Sequence, residues 1–259
     1  MQDIDPPASS RIRWSRSARR WWSEVAEREG RRAATRQLLA ALWEFVRDST
    51  PQRRRQRYGD ADYDWDYRVN TTSAAVGWRD RLVAQFHSPY QPTEPALFRE
   101  MLDAWHEQSH GDFADFIFID LGSGKGRTLL MASDYPFLRI LGVELLPGLH
   151  RTAQENLGSY QSESQKCFAL ESICGDATEF LFPSAPTVLY LFNPFPESGL
   201  RRMIANLERS LDADPRAVYV LYHNPLLEHV LRSSTGLSRM GGTHQYSIYA
   251  SGRCVASGR

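Results

Sequence analysis

Cysteine is scarce in this chain, with three residues among 259 and no CxxC pair. An odd count without paired spacing suggests neither a disulfide framework nor a cysteine zinc site. Long apolar runs are also missing, and none approaches the ~18 residues that a membrane span needs. The opening MQDIDPP lacks the basic-then-apolar order of a secretory signal, so the expected location is the cytoplasm. Net charge is absent too: 31 basic residues, 29 of them Arg, balance 31 acidic ones. With 42% hydrophobic residues, the composition excludes a disordered tail, a collagen-like chain and a disulfide-built miniprotein.

The neutral total hides an uneven distribution. Residues 1–60 hold 14 Arg against 8 Asp and Glu, whereas 61–259 hold 17 basic against 23 acidic residues. Trp14, Ala18, Trp21 and Val25, then Leu38, Leu42 and Phe45 after Gly30, fall at helical spacing and predict two amphipathic helices. Interleaved Arg and Trp suit a nucleic acid backbone or an anionic membrane surface. Because Arg dominates the whole chain, the favoured reading is a solvated helical cap on the main domain. The expected organisation is a basic helical extension over 1–60 and a main domain over 61–259, divided into a cap segment at 61–110 and a core at 111–259.

From residue 111 strands and helices alternate. Phe116–Leu121, Arg139–Glu144, Phe168–Cys174, Thr187–Phe192 and Ala217–Tyr222 read as strands. Between them, RTLLMAS and the spacings Leu149, Ala153, Leu157 and Leu200, Ile204, Leu207, Leu211 read as helices. Continuous apolar strands alternating with helices predict a doubly wound, mostly parallel α/β sheet covered on both faces. A last strand at Tyr246–Ala250, after a Gly241-Gly242 turn, is expected to close the edge antiparallel.

In such a sheet ligands bind outside the carboxyl ends of the strands. The five strands deliver DLGSGKG at 120–126, Glu144, Gly175-Asp176-Ala177, Asn193-Pro194-Phe195 and His223-Asn224-Pro225. Glycines let a nucleotide-like ligand approach the backbone. The spacing is GxGxG with Arg127 where a dinucleotide loop has its third glycine, and no GxxxxGK[ST] phosphate loop occurs. Glu144 can accept both hydroxyls of a ribose, or cap the helix that starts near Pro147. Asp176 beside the small Ala177 suits a purine and its exocyclic amine, or is a turn residue.

DLGSGKGR, the acid of GVELLP, GDATEF and LYLFNPF, in this order and at these distances, resemble the binding segments of class I S-adenosylmethionine-dependent methyltransferases. The resemblance covers about 111–259. It implies a methyltransferase with a Rossmann-like core, S-adenosyl-L-methionine as cofactor and S-adenosyl-L-homocysteine as product. It further implies that Asp120, Gly122 and Gly124 surround the methionine portion, Glu144 holds the ribose, Asp176 and Ala177 hold the adenine, and Asn193 lies near the methyl. Ser123, Gly126 and Pro194 complete the implied cofactor set. Upstream, SPYQPTEPALFREML resembles the segment before the core of lysine-directed members, and DLGSG also resembles non-SET histone lysine methyltransferases. That implies a cofactor lid made by Tyr90, Thr93 and Glu94. NPF is similar to the [DN]PP[FYW] segment of amino-group methyltransferases but has a single proline.

Methyl transfer from a sulfonium asks the protein for alignment and exclusion of water. Asn193, Tyr90 and Glu94 are the candidates on the acceptor side, with His223 a further proton acceptor. The methyl acceptor implied is nitrogen, such as a protein lysine; an alternative is a small-molecule methyltransferase with the N-terminal segment as lid. A different class, a nucleic-acid-binding module with a vestigial cofactor site, is the alternative. Four other histidines, His87, His106, His110 and His150, show no metal-ligand spacing, and Ser123 is not in a GxSxG elbow. Alternating Asp and aromatics in DADYDWDY are expected to form an acidic loop over the active site.

Overall fold

A computed structural model of the protein describes residues 26, 30–32, 35, 61–71 and 92–252. The two helices expected within 1–60 fall largely outside these residues, and Tyr90 falls outside them entirely.

The described elements are α1 (Ala61–Tyr67), α2 (Pro95–Ser109), β1 (Ile117–Leu121), α3 (Arg127–Ala132), β2 (Arg139–Glu144), α4 (Pro147–Ser159) and β3 (Leu170–Cys174). Then come β4 (Thr187–Leu191), α5 (Glu197–Ala213), β5 (Val218–His223), α6 (Glu228–Arg232), β6 (Leu237–Gly242) and β7 (Tyr246–Ser251). Short 3-10 turns stand at Phe113–Asp115 and Ala177–Glu179. All seven strands form one sheet in the order β3-β2-β1-β4-β5-β7-β6. The first five are parallel, so the expected doubly wound architecture is present. The connections reverse direction between β1 and β4, and that switch point opens the crevice.

Two layers of helices bury the sheet. On one face Phe98, Met101, Leu102 and Trp105 of α2 meet Phe118, Tyr190, Tyr219 and Ile248. On the other, Leu200, Met203, Ile204 and Leu207 of α5 meet Ile119, Leu189 and Val220. Strands β1, β4 and β5 are buried at every residue, which is why they read as continuous apolar runs.

Two expectations are corrected. The strand at 246–251 is interior, not the edge: it lies between β5 and β6. The glycines expected to form its preceding turn belong to β6, whose sequence LSRMGG alternates too weakly to announce a strand. The stretch ADYDWDY is helix α1 rather than a loop. Its Tyr63 is buried in the core, and Tyr67 packs against it with ring centroids 4.7 Å apart.

Candidate active site

The chain leaves β1 through Gly122, Gly124 and Gly126, with φ of 90°, 55° and 83°, and enters α3 at Arg127. Side chains rarely adopt such angles, which explains the glycine spacing. Gly122 N–H and Ser123 N–H donate to the Val143 carbonyl at 2.8 and 3.1 Å, and Gly126 N–H donates to Ser123 O at 2.8 Å. Gly124 N–H donates to Glu144 Oε2 at 2.8 Å. A loop that cradles phosphate aims such groups at its ligand. Here four of them point into the protein, so the loop does not form a phosphate nest.

Three carboxylates stand at the ends of β1, β2 and the segment after β3. Asp120 is 3% exposed and accepts the Thr128 hydroxyl on Oδ2. Burial pushes its carboxyl up to about 7; the Thr128 bond opposes the rise and the charge of Glu144 adds to it. Glu144 is likewise buried, and its Oε1 accepts from Leu146 N–H at 2.8 Å, directly before α4. The capping contact is thus present, and a carboxylate oxygen can accept a second bond beside it. Asp176 Oδ1 accepts from the backbone N–H and hydroxyl of Thr178 at 2.9 and 2.7 Å, fixing the 3-10 turn that seats the buried Ala177. The set offers acceptors, so a matching ligand must bring donors.

On the other flank of the crevice, Asn193 and Asn224 follow β4 and β5 in left-handed conformations, φ 47° and 46°, each directly before a proline. Asn tolerates this region better than most residues. Asn193 Nδ2 donates to Asn224 O at 2.7 Å, and Tyr222 Oη donates to Asn193 Oδ1 at 2.7 Å. Pro194 packs against Gly122, where an added Cβ would lie 2.5 Å from the proline Cβ. Nearby, His223 stacks on Phe192 with centroids 3.9 Å apart. Its Nδ1 shares a 2.7 Å hydrogen bond with Tyr190 Oη, which shares another of 2.9 Å with the Thr93 hydroxyl. Burial lowers the His223 pKa to about 4, leaving a neutral imidazole at pH 7.

The structure therefore brings Asp120, Gly122, Gly124, Gly126, Glu144, Asp176, Ala177, Asn193 and Pro194 to the carboxyl ends of adjacent strands. It treats three others differently. The Ser123 hydroxyl is buried without a hydrogen-bond partner among the described residues and is turned toward Gly142. Thr93 uses its hydroxyl inside the protein, on Tyr190. Glu94 is exposed at the start of α2, where its side chain makes no capping bond. Residues missed in the sequence are Thr128, Tyr190 and Tyr222, polar groups in otherwise apolar stretches. The one available signal for Thr128 is its place on the first turn after the glycine loop. Among the described residues no group of three or more His, Cys, Asp or Glu is placed to hold a metal ion, and no helix is long and apolar enough to cross a membrane.

No family model and no curated protein matches the sequence. Solved structures similar to the chain include the PH0226 protein from Pyrococcus horikoshii OT3, at 15% identity and a TM-score of 0.45 over 60% of this chain and 90% of that one. Another is an RNA methyltransferase from Salinibacter ruber in complex with S-adenosyl-L-homocysteine, at 20% identity and a TM-score of 0.38 over 62% and 92% of the two chains. A third is a SAM-dependent methyltransferase from Aquifex aeolicus, at 12% identity and a TM-score of 0.41 over 61% and 98%.

Proposed function

We propose that the protein is an S-adenosylmethionine-dependent methyltransferase acting on an amine, with protein lysine as the acceptor class. The observation that carries the cofactor reading is the polarity of the crevice. Asp120, Glu144 and Asp176 present carboxylates, while four N–H groups of the glycine loop, those of Gly122, Ser123, Gly124 and Gly126, are engaged internally. S-adenosylmethionine brings the complementary donors: an α-ammonium, a ribose diol and an exocyclic amine. A pyrophosphate dinucleotide would instead bring anions to carboxylates. Asp120 would hold the ammonium, Glu144 the diol and Asp176 the adenine amine.

When bound, the cofactor supplies an electrophilic methyl on its sulfonium. The chain then has to orient a nitrogen lone pair and keep water away. Asn193, braced by Tyr222 and Asn224, and the neutral imidazole of His223 are acceptor groups suited to an amine's N–H. Phe195, half-buried beside Pro194, offers a wall for the target's apolar stem.

Thermal melting with S-adenosylhomocysteine, S-adenosylmethionine and NAD tests the cofactor. At a hundredfold excess over the dissociation constant, binding adds about 2.7 kcal/mol, and the two adenosyl compounds alone should shift the transition. A shift with NAD alone overturns the reading. Incubation of lysate with a labelled methyl donor, followed by hydrolysis, tests the acceptor. Methyl-lysine is expected; label confined to low-mass products or to nucleic acid would reassign it.

A further inference from the structure

Two cations sit in and beside the glycine loop, and the proposed chemistry uses neither. Lys125, one of only two lysines in the chain, and Arg127 have relative exposures of 0% and 2%. Charged side chains are almost never buried so deeply unless they are paired. Both are directed to residues 61–71. Lys125 Nζ donates to Asn70 Oδ1 at 2.9 Å. Arg127 Nε donates to Thr71 Oγ1 at 2.7 Å, its Nη2 lies 3.4 Å from Asp64 Oδ1, and its guanidinium covers the Tyr63 ring at 4.6 Å. A fourth contact, from Nη1 to the Thr93 carbonyl at 3.5 Å, ties in the entry to α2. Burial lowers the Lys125 pKa, and the charge of Asp64 opposes that.

The upstream segment is built to receive them. Asp64 accepts from Thr71 N–H at 2.9 Å and from the Thr71 hydroxyl, so the chain folds back after α1. Asn156 of α4 then grips both partners. Its Oδ1 accepts from Asn70 N–H at 2.8 Å, and its Nδ2 donates to Asn70 O at 3.1 Å and to Lys125 O at 2.9 Å. The Lys125 carbonyl lies between Gly124, held by Glu144, and Gly126. Asn156 thus ties the loop and the strap to each other through one side chain.

We infer that residues 61–71 form a positioning strap for the cofactor loop, with Arg127 as its anchor, so that attachment of the strap and binding of the cofactor are coupled. Planar, three-way recognition explains arginine at 127, because lysine cannot reach Thr71, Asp64 and the Thr93 carbonyl at once. The inference rests on the cofactor reading above, since the coupled ligand is S-adenosylhomocysteine. Coupling is reciprocal: loosening the strap weakens the ligand, and the ligand protects the strap.

The test uses the full chain and substitutions confined to the strap, Thr71→Val and Asp64→Asn, which leave the loop's own sequence intact. Affinity for S-adenosylhomocysteine is measured by calorimetry well below each variant's melting point, with circular dichroism confirming the fold. At least tenfold weaker binding by the folded double variant is expected. Binding within twofold of the parent would reduce the network to a merely structural one and overturn the proposal. Hydrogen exchange on the unmodified chain needs no substitution. Saturating S-adenosylhomocysteine should slow exchange at the Asn70 and Thr71 amides, and unchanged protection there would also overturn it. A parent chain that does not bind S-adenosylhomocysteine would instead sink the cofactor reading itself.

Discussion

Gly122 and Pro194 meet across the switch point of the sheet, with a Cβ built on Gly122 falling 2.5 Å from the proline Cβ. The contact joins the end of β1 to the end of β4, which are neighbours in space but separated in sequence by β2 and β3. Replacing Gly122 with Ala combines that clash with a φ of 90°. Expected destabilisation is about 1–3 kcal/mol, read as a lower denaturant midpoint at unchanged slope. An unaltered midpoint would mean that Pro194 moves aside freely.

Asp120 and His223 predict opposing pH dependences. With its pKa raised to about 7, Asp120 binds a proton in the folded state that the unfolded chain releases near pH 4. Its contribution is therefore full below that point and is lost as pH rises to 7. His223, lowered to about 4, is neutral when folded and protonates on unfolding below pH 6.5. Its contribution is lost as pH falls from 6.5 to 4. Each slope approaches about 1.4 kcal/mol per pH unit, with opposite sign. In the unliganded protein they offset each other between pH 4 and 6.5. Asp120→Asn should expose a stability that rises with pH over this window, and His223→Gln one that falls. Parallel profiles for the two variants would contradict both assignments.

Ionisation of Asp120 also bears on the ligand. If Asp120 holds the cofactor's ammonium, affinity for S-adenosylhomocysteine should climb by about tenfold per pH unit below 7 and then level off. Asp120→Asn should bind weakly at every pH, with no rise through this range. A parent affinity that is flat from pH 5 to 8 would move the ammonium elsewhere.

Glu144 carries two duties that substitution can separate. Glu144→Ala removes the acceptor for the Gly124 and Leu146 N–H groups, and each unsatisfied buried donor costs about 1–3 kcal/mol. Glu144→Gln keeps one carbonyl oxygen for these donors. We expect Gln to retain more stability than Ala while both lose cofactor affinity. A Gln variant with the parent's affinity would leave Glu144 as a cap alone.

Legibility in the sequence followed burial. Strand β2 was readable to its ends because RILGVE is apolar and buried from its second residue, and α5 because its leucines and isoleucine recur at helical spacing. Strand β6 was not, since an edge strand exposed at Ser238 and Arg239 need not alternate. Asp120, Glu144 and Asn193 could be singled out because they interrupt apolar runs at strand ends. Lys125 and Arg127 could not: charge ordinarily predicts a surface, and partners distant in sequence, among them Tyr63, Asp64, Asn70, Thr71 and Thr93, receive these two inside. Nor does spacing reveal that the Thr93 hydroxyl turns to Tyr190, a contact across 97 positions.

The role of Asn193 separates from its turn through Tyr222. Tyr222→Phe removes the donor to Asn193 Oδ1 and the acceptor for Leu227 N–H at 3.3 Å, but leaves the left-handed backbone its asparagine. Asn193→Gly keeps that backbone and deletes the amide. If the amide orients the methyl acceptor, both variants should lower kcat for methyl transfer by tenfold or more, with the KM for S-adenosylmethionine changed less than threefold. If Asn193 only shapes the turn, Asn193→Gly should keep the parent's kcat, because glycine adopts φ near 47° without strain. Steady-state kinetics on the acceptor identified by labelling decides between the two, and Asn193→Ala, which strains the turn as well, should be the slowest of the three.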